Sequence, residues 1–253
     1  MLHFNNGDIM NKDNIFLDNS EILINSSQIK RKENITENIS ITDVLLNKSE
    51  AKKINKNPGR YITISFNKDK IDNELEILLK EVVASLKEIL KYLKVGKTKP
   101  LFVGLGNKDF ACDKFGNTII EKIVIDNNSY KIYKNVLANT NIDSTLFIKN
   151  LASSLNVNVV IVFDSLKAEN LARLGSTIQI ATTGLSPGSA FNSKVNIIDN
   201  KTVKKPVICI GIPTIVSIKE SCENKDLVVT TNDIDLLVDN LSSIVSIAIN
   251  RLF

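Results

Sequence analysis

Short apolar runs rich in β-branched residues, separated by stretches of helical periodicity, constrain this chain more than any other feature. Residues 101–105 read Leu-Phe-Val-Gly-Leu, 157–163 form the most apolar stretch, and 176–181 and 206–210 follow in the same style. Runs of this length without polar alternation suit strands covered on both faces. Between residues 72 and 94, Leu75, Leu78, Leu79, Val82, Val83, Leu86, Ile89, Leu90 and Leu93 keep the three-and-four spacing of an amphipathic helix that ends near Gly96. Residues 143–155 read as another helix and 231–252 as a closing one, with Thr230 or Thr231 as its N-cap. Strands alternating with helices predict an α/β fold: a three-layer sandwich whose mostly parallel or mixed sheet carries helices on both faces.

Residues 1–57 are rich in Asn and Lys, with a β-like stretch at 39–46. They read as an N-terminal segment, a pro-segment or edge strands, ahead of an α/β unit over 58–253. Asn57-Pro58-Gly59 is a turn signal, and the strand 61–66 follows it. Residues 118–125 and 130–136 flank Asp126-Asn127-Asn128 and predict a hairpin. A formal charge of +4 without long basic runs is a weak nucleic-acid footprint. No apolar window reaches the roughly 18 residues of a membrane span. The three cysteines share no CxxC spacing, so no disulfide framework or zinc site is expected, and a reduced, cytoplasmic setting fits.

The single histidine, His3, lies in the N-terminal segment, which removes Ser-His-Asp, Cys-His and His-metal chemistry from consideration. Carboxylates remain as acid and base groups. In an open α/β sheet ligands sit beyond the carboxyl ends of the strands, where two acids fall: Asp113, in the loop after 101–105, and Asp164, closing 157–163. Asp164 is equally well placed to cap a helix over 165–173. The segment Thr182-Thr183-Gly184-Leu185-Ser186-Pro187-Gly188-Ser189-Ala190 is dense in glycine and hydroxyls; it can aim N–H groups and hydroxyls into a crevice or simply make a tight turn.

These residues resemble the spore germination protease family. Asn57-Pro58-Gly59-Arg60-Tyr61-Ile62-Thr63 resembles its strand entry, and Gly104-Leu105-Gly106-Asn107 ahead of Asp113 resembles its Gly-Leu-Gly-Asn segment. Val162-Phe163-Asp164-Ser165-Leu166, Ser176-Thr177-Ile178-Gln179-Ile180, the 183–189 loop and the 206–216 stretch follow in matching order over roughly residues 40–253. The resemblance implies an endopeptidase made as a zymogen, assembled as a homotetramer, and cleaving small acid-soluble spore proteins in the spore core. It implies no cofactor, no metal, no membrane and no direct nucleic-acid partner. It also implies two catalytic aspartates: one falls on Asp113, and the position of the second is occupied by Thr182, with Asp164 the nearest acid to replace or support it. Asn107, Thr183, Gly184, Ser186, Gly188 and Ser189 are the implied substrate-binding residues. Thr182 cannot serve as a carboxylate base, Ser186 stands where the family has histidine, and Asn139-Thr140-Asn141-Ile142-Asp143 replaces a glycine-rich loop. The alternative function is an inactive paralogue that binds spore proteins or joins an active subunit.

Overall fold

The computed structural model describes residues 29–54, 56–133, 143–168, 170–186, 196–219 and 226–253. Strands β1 (Ile29–Asn34), β2 (Ile39–Leu46) and β3 (Gly59–Phe66) form an antiparallel meander, with the one-and-a-half-turn helix α1 (Lys48–Lys53) between the last two. Helix α2 (Leu75–Tyr92) leads to β4 (Pro100–Gly104), α3 (Phe115–Lys122), β5 (Tyr130–Tyr133), α4 (Ser144–Ser154) and β6 (Val159–Ala168). Then come β7 (Thr177–Ala181), α5 (Asn200–Val203), β8 (Val207–Lys219), β9 (Asp226–Val229) and α6 (Ile234–Asn250). All nine strands join one sheet in the order β1-β2-β3-β7-β8-β6-β4-β5, with β9 paired to β8. The half from β8 to β5 is parallel and the half from β1 to β8 is antiparallel, so the sheet is mixed.

Alternation along the strands divides the core in two. Ile62, Ile64, Phe102, Ile161, Phe163, Ile178 and Ile210 pack beneath α2, α3 and α6. Leu101, Val103, Val160, Val162 and Cys209 face Ile148 and Ala152 of α4 and Val203 of α5. Strand β2 belongs fully to this core, because Ile39, Ile41, Val44 and Leu46 are all buried. Its Asp43 holds the β3 residue Arg60 in a buried ion pair, Nη2 to Oδ2 at 2.6 Å, while Arg60 Nη1 donates to the Glu88 carbonyl of α2.

Three expectations from sequence are corrected. Residues 118–125 do not begin a hairpin: 115–122 form α3, because Phe115, Ile119 and Ile120 fall on one helical face that packs on β4 and β6, and this burial overrides the β-propensity of two adjacent isoleucines. The backbones meet closely there, since a Cβ on Gly104 would lie 2.4 Å from the Gly116 carbonyl oxygen. Strand β5 pairs in parallel with β4 at the sheet edge rather than with a neighbouring hairpin arm, and residues 134–136 lie outside the described residues. Asp164 neither ends its strand nor caps a helix: β6 continues to Ala168, pairing with β8 throughout, and only a 3-10 turn at Leu171–Arg173 follows. The closing helix starts at Ile234 with no side-chain cap; the Thr230 hydroxyl donates instead to the Thr214 carbonyl of β8. No described helix is long and apolar enough to cross a membrane.

Candidate active site

Beyond Gly104 the β4 backbone makes one more ladder contact, Leu105 N–H to the Phe163 carbonyl at 2.9 Å, and then turns at Gly106. Gly106 has φ +92°, and a Cβ there would sit 2.0 Å from the Asp113 carbonyl oxygen, so only glycine fits this turn. The turn brings the Asn107 N–H to the Asp113 carboxylate, 2.8 Å from Oδ2. Asn117, buried at the start of α3, donates from Nδ2 to the carbonyl of Gly106 at 3.0 Å and pins the turn from below. Asp113 itself closes a 3-10 turn, Ala111–Asp113. The buried Thr214 hydroxyl of β8 ties that turn to the sheet by donating to the Cys112 carbonyl at 2.6 Å.

Asp164 lies on β6 opposite Gly211 of β8, and its Oδ1 accepts the Ser165 N–H at 3.0 Å. The residue is buried, on the sheet face that carries Val160 and Val162. Burial pushes the Asp113 carboxyl up to about 6, against the opposing pull of the Asn107 N–H. Burial raises Asp164 well above the usual carboxylate range, and the neighbouring Asp113 charge adds to the rise. Among the described residues neither acid forms an ion pair with a basic side chain. The result is an asymmetric pair beside the end of β4: Asp113 ionises at about 6, whereas burial and the Asp113 charge favour the protonated form of Asp164. Such a pair can accept a proton at one carboxyl and donate one at the other. Cys209, on the same face, is no nucleophile, because burial holds its thiol protonated.

The other residues singled out in the sequence lie elsewhere. Thr182 follows β7, whose Ala181 pairs with Cys209, and Cys209 pairs with Val162. It therefore sits two strands across and three residues back from Asp164, on the order of 14 Å away by strand geometry. Its Oγ1 accepts the Arg60 N–H at 3.0 Å, and its own N–H donates to the Arg60 carbonyl at 3.1 Å, extending the β3–β7 ladder. Thr183 is buried beside it. Gly184 takes φ +83° where a Cβ would meet the Asp199 Cβ at 2.5 Å, and the Leu185–Ile198 bridge closes the neck of the loop. Ser186 follows that bridge, whereas Gly188 and Ser189 lie outside the described residues. Asn107 is the implied substrate-binding residue that stands at the acid pair, donating its N–H to Asp113 while its Oδ1 accepts the Asp109 N–H at 3.0 Å. The supporting roles of Thr214 and Asn117 were invisible in the sequence, since each acts across more than ten residues of chain.

Fold and site together give an α/β protein with a mixed sheet and two neighbouring, largely buried carboxyls, Asp113 after β4 and Asp164 within β6. Residues 7–222 match the sequence family described as germination protease, and the chain belongs to that family. A germination protease of Clostridium tetani is 28% identical, with 84% of this chain and 84% of that protein covered. One of Bacillus cereus is 31% identical over 73% of this chain, and the match spans 55% of its length. A solved hydrogenase maturation protease, HycI from Thermococcus kodakarensis, aligns over 63% of this chain and 97% of its own with TM-score 0.41 and 14% identity.

Proposed function

We propose that this chain is an endopeptidase that hydrolyses peptide bonds with Asp113 as general base and Asp164 as general acid. The observation that carries the reading is the pair itself: two neighbouring carboxyls both raised by burial, Asp164 raised further by the Asp113 charge. Ionised Asp113 takes a proton from water as the water oxygen bonds to the scissile carbonyl carbon. Asp164 gives its proton to the carbonyl oxygen and recovers it as the tetrahedral centre collapses. The C–N bond then breaks, and the proton on Asp113 passes to the departing amine. Hydrolysis should therefore rise with pH through about 6 and fall again once Asp164 ionises, both limbs belonging to the pair as a unit.

Family membership supports small acid-soluble spore proteins as substrates, and with them a zymogen, a homotetramer and a place in the spore core. The test is incubation of the purified protein with an α/β-type spore protein across pH 5 to 9. Discrete fragments that vanish in Asp113→Asn and in Asp164→Asn are expected. Intact substrate at every pH, with binding retained, would replace this reading by that of an inactive paralogue, the function favoured by the hydroxyl at Thr182.

A further inference from the structure

Across the sheet from Asp164 runs a row of polar side chains where an apolar core would be expected. Register pairs Thr42 with Thr63, Thr63 with Gln179, Gln179 with Gly211 and Gly211 with Asp164. Directly paired residues project from the same face, and the intervening Ile62, Ile64, Ile178 and Ile180 belong to the core on the other face. A second row, Ser40, Ser65 and Thr177, follows two residues further along. Thr177 is 2% exposed and Gln179 9%, yet Thr177 Oγ1 and Gln179 Nε2 have no hydrogen-bond partner. Enclosed polar atoms left unpaired are costly, and a sheet that needed only packing would carry valine and leucine here. A cavity of about 770 Å³ opens on this end of the rows, lined by Ser40, Ser65, Thr177 and Asn170 among others. Asn170 Oδ1 is a further enclosed acceptor without a partner.

We infer that this cavity and the polar rows form the subsite that holds the main chain of an extended peptide on one side of the bond broken at Asp113 and Asp164. The inference rests on the endopeptidase reading. Gln179 Nε2 needs a carbonyl, Asn170 Oδ1 needs an N–H, and the Thr177 hydroxyl serves either. An extended main chain supplies both groups in alternation. Four inter-strand steps separate Asp164 from Thr42, roughly 19 Å, which about six extended residues cover. The chain so bound crosses the strands instead of adding to a sheet edge, so recognition runs through side-chain hydroxyls and amides.

The experiment measures fluorescence anisotropy of a labelled ten-residue spore-protein peptide on full-length Asp113→Asn, with Thr177→Val and Gln179→Leu added singly. Each addition is expected to weaken binding about tenfold without lowering the melting temperature, because it removes an unpaired polar atom. Thr177→Ser is expected to bind as the parent does. Unchanged binding in both variants, a fall in melting temperature in Thr177→Val, or no peptide binding by the parent would each overturn the inference. Cleavage is scored separately on the wild-type chain. Cleavage with an unaltered KM in both variants sinks the subsite alone, whereas binding that depends on Thr177 without any cleavage sinks the endopeptidase reading alone.

Discussion

Asp113→Asn is expected to make the protein more stable at neutral pH while abolishing hydrolysis. The Asp113 carboxyl rises from 3.8 to about 6 on folding. A raised acid favours the folded state only while it is protonated, so stability is full below the unfolded value and is lost as pH climbs through the folded one. The shift corresponds to roughly 3 kcal/mol, and partial solvent screening of the side chain trims the effect to about 2 kcal/mol. Asparagine keeps the shape and still accepts the Asn107 N–H, so it removes the charge and little else. Urea denaturation of both proteins between pH 3.5 and 8 reads the difference directly. The two curves should coincide near pH 3.5 and diverge between pH 4 and 7, with the variant ahead by about 2 kcal/mol at the top of the range. A variant no more stable than wild type at pH 7.5 would mean that Asp113 is solvated, and the acid–base assignment built on its burial would go with it.

Three further outcomes follow from the same geometry. Gly106→Ala should cost about 2 kcal/mol or more in urea denaturation and lower the hydrolytic rate, because a Cβ has no room against Asp113 and the backbone is left-handed; a cost under about 0.5 kcal/mol would show that the turn relaxes freely. Thr182→Val should cost about 1 to 3 kcal/mol by leaving the Arg60 N–H without its acceptor, with kcat unaltered; a kcat loss matching that of Asp113→Asn would place Thr182 in the chemistry. Asp43→Ala should cost about 3 kcal/mol in thermal or chemical denaturation, since it removes the carboxylate that pairs with the Arg60 guanidinium and leaves that group only its Glu88 contacts; a neutral result would show that Glu88 and water satisfy Arg60 and that β2 is weakly held.

The elements legible in the sequence were those whose burial pattern is local. The helix spacing through Leu75 to Leu93 and the apolar run before Asp164 needed no partner to be recognised, because periodicity records how one element meets a neighbouring layer. α3 was misread because eight residues containing Thr118, Ile119 and Ile120 satisfy a strand as well as a short helix, and the packing of Phe115, Ile119 and Ile120 on the sheet, with Gly116 close against Gly104, settles which. The end of β6 was misplaced for a related reason. Asp164 is polar and sequence reading treats polarity as an exit from the core, whereas β8 supplies partners for four residues beyond it.

The sequence alone determined the α/β class and the family, since composition, periodicity and ordered motifs are properties of the chain itself. Only the tertiary structure decided which acids meet. Asp113 and Asp164 are 51 positions apart in the chain and become neighbours through the parallel pairing of β4 with β6, while Thr182 is carried away by the antiparallel course of β7. Strand direction is set by crossovers and by packing over both faces, long-range terms that no window of residues contains. The proton affinities followed from the same pairing, because burial, and the Asp113 charge beside Asp164, exist only once the sheet has closed around the site.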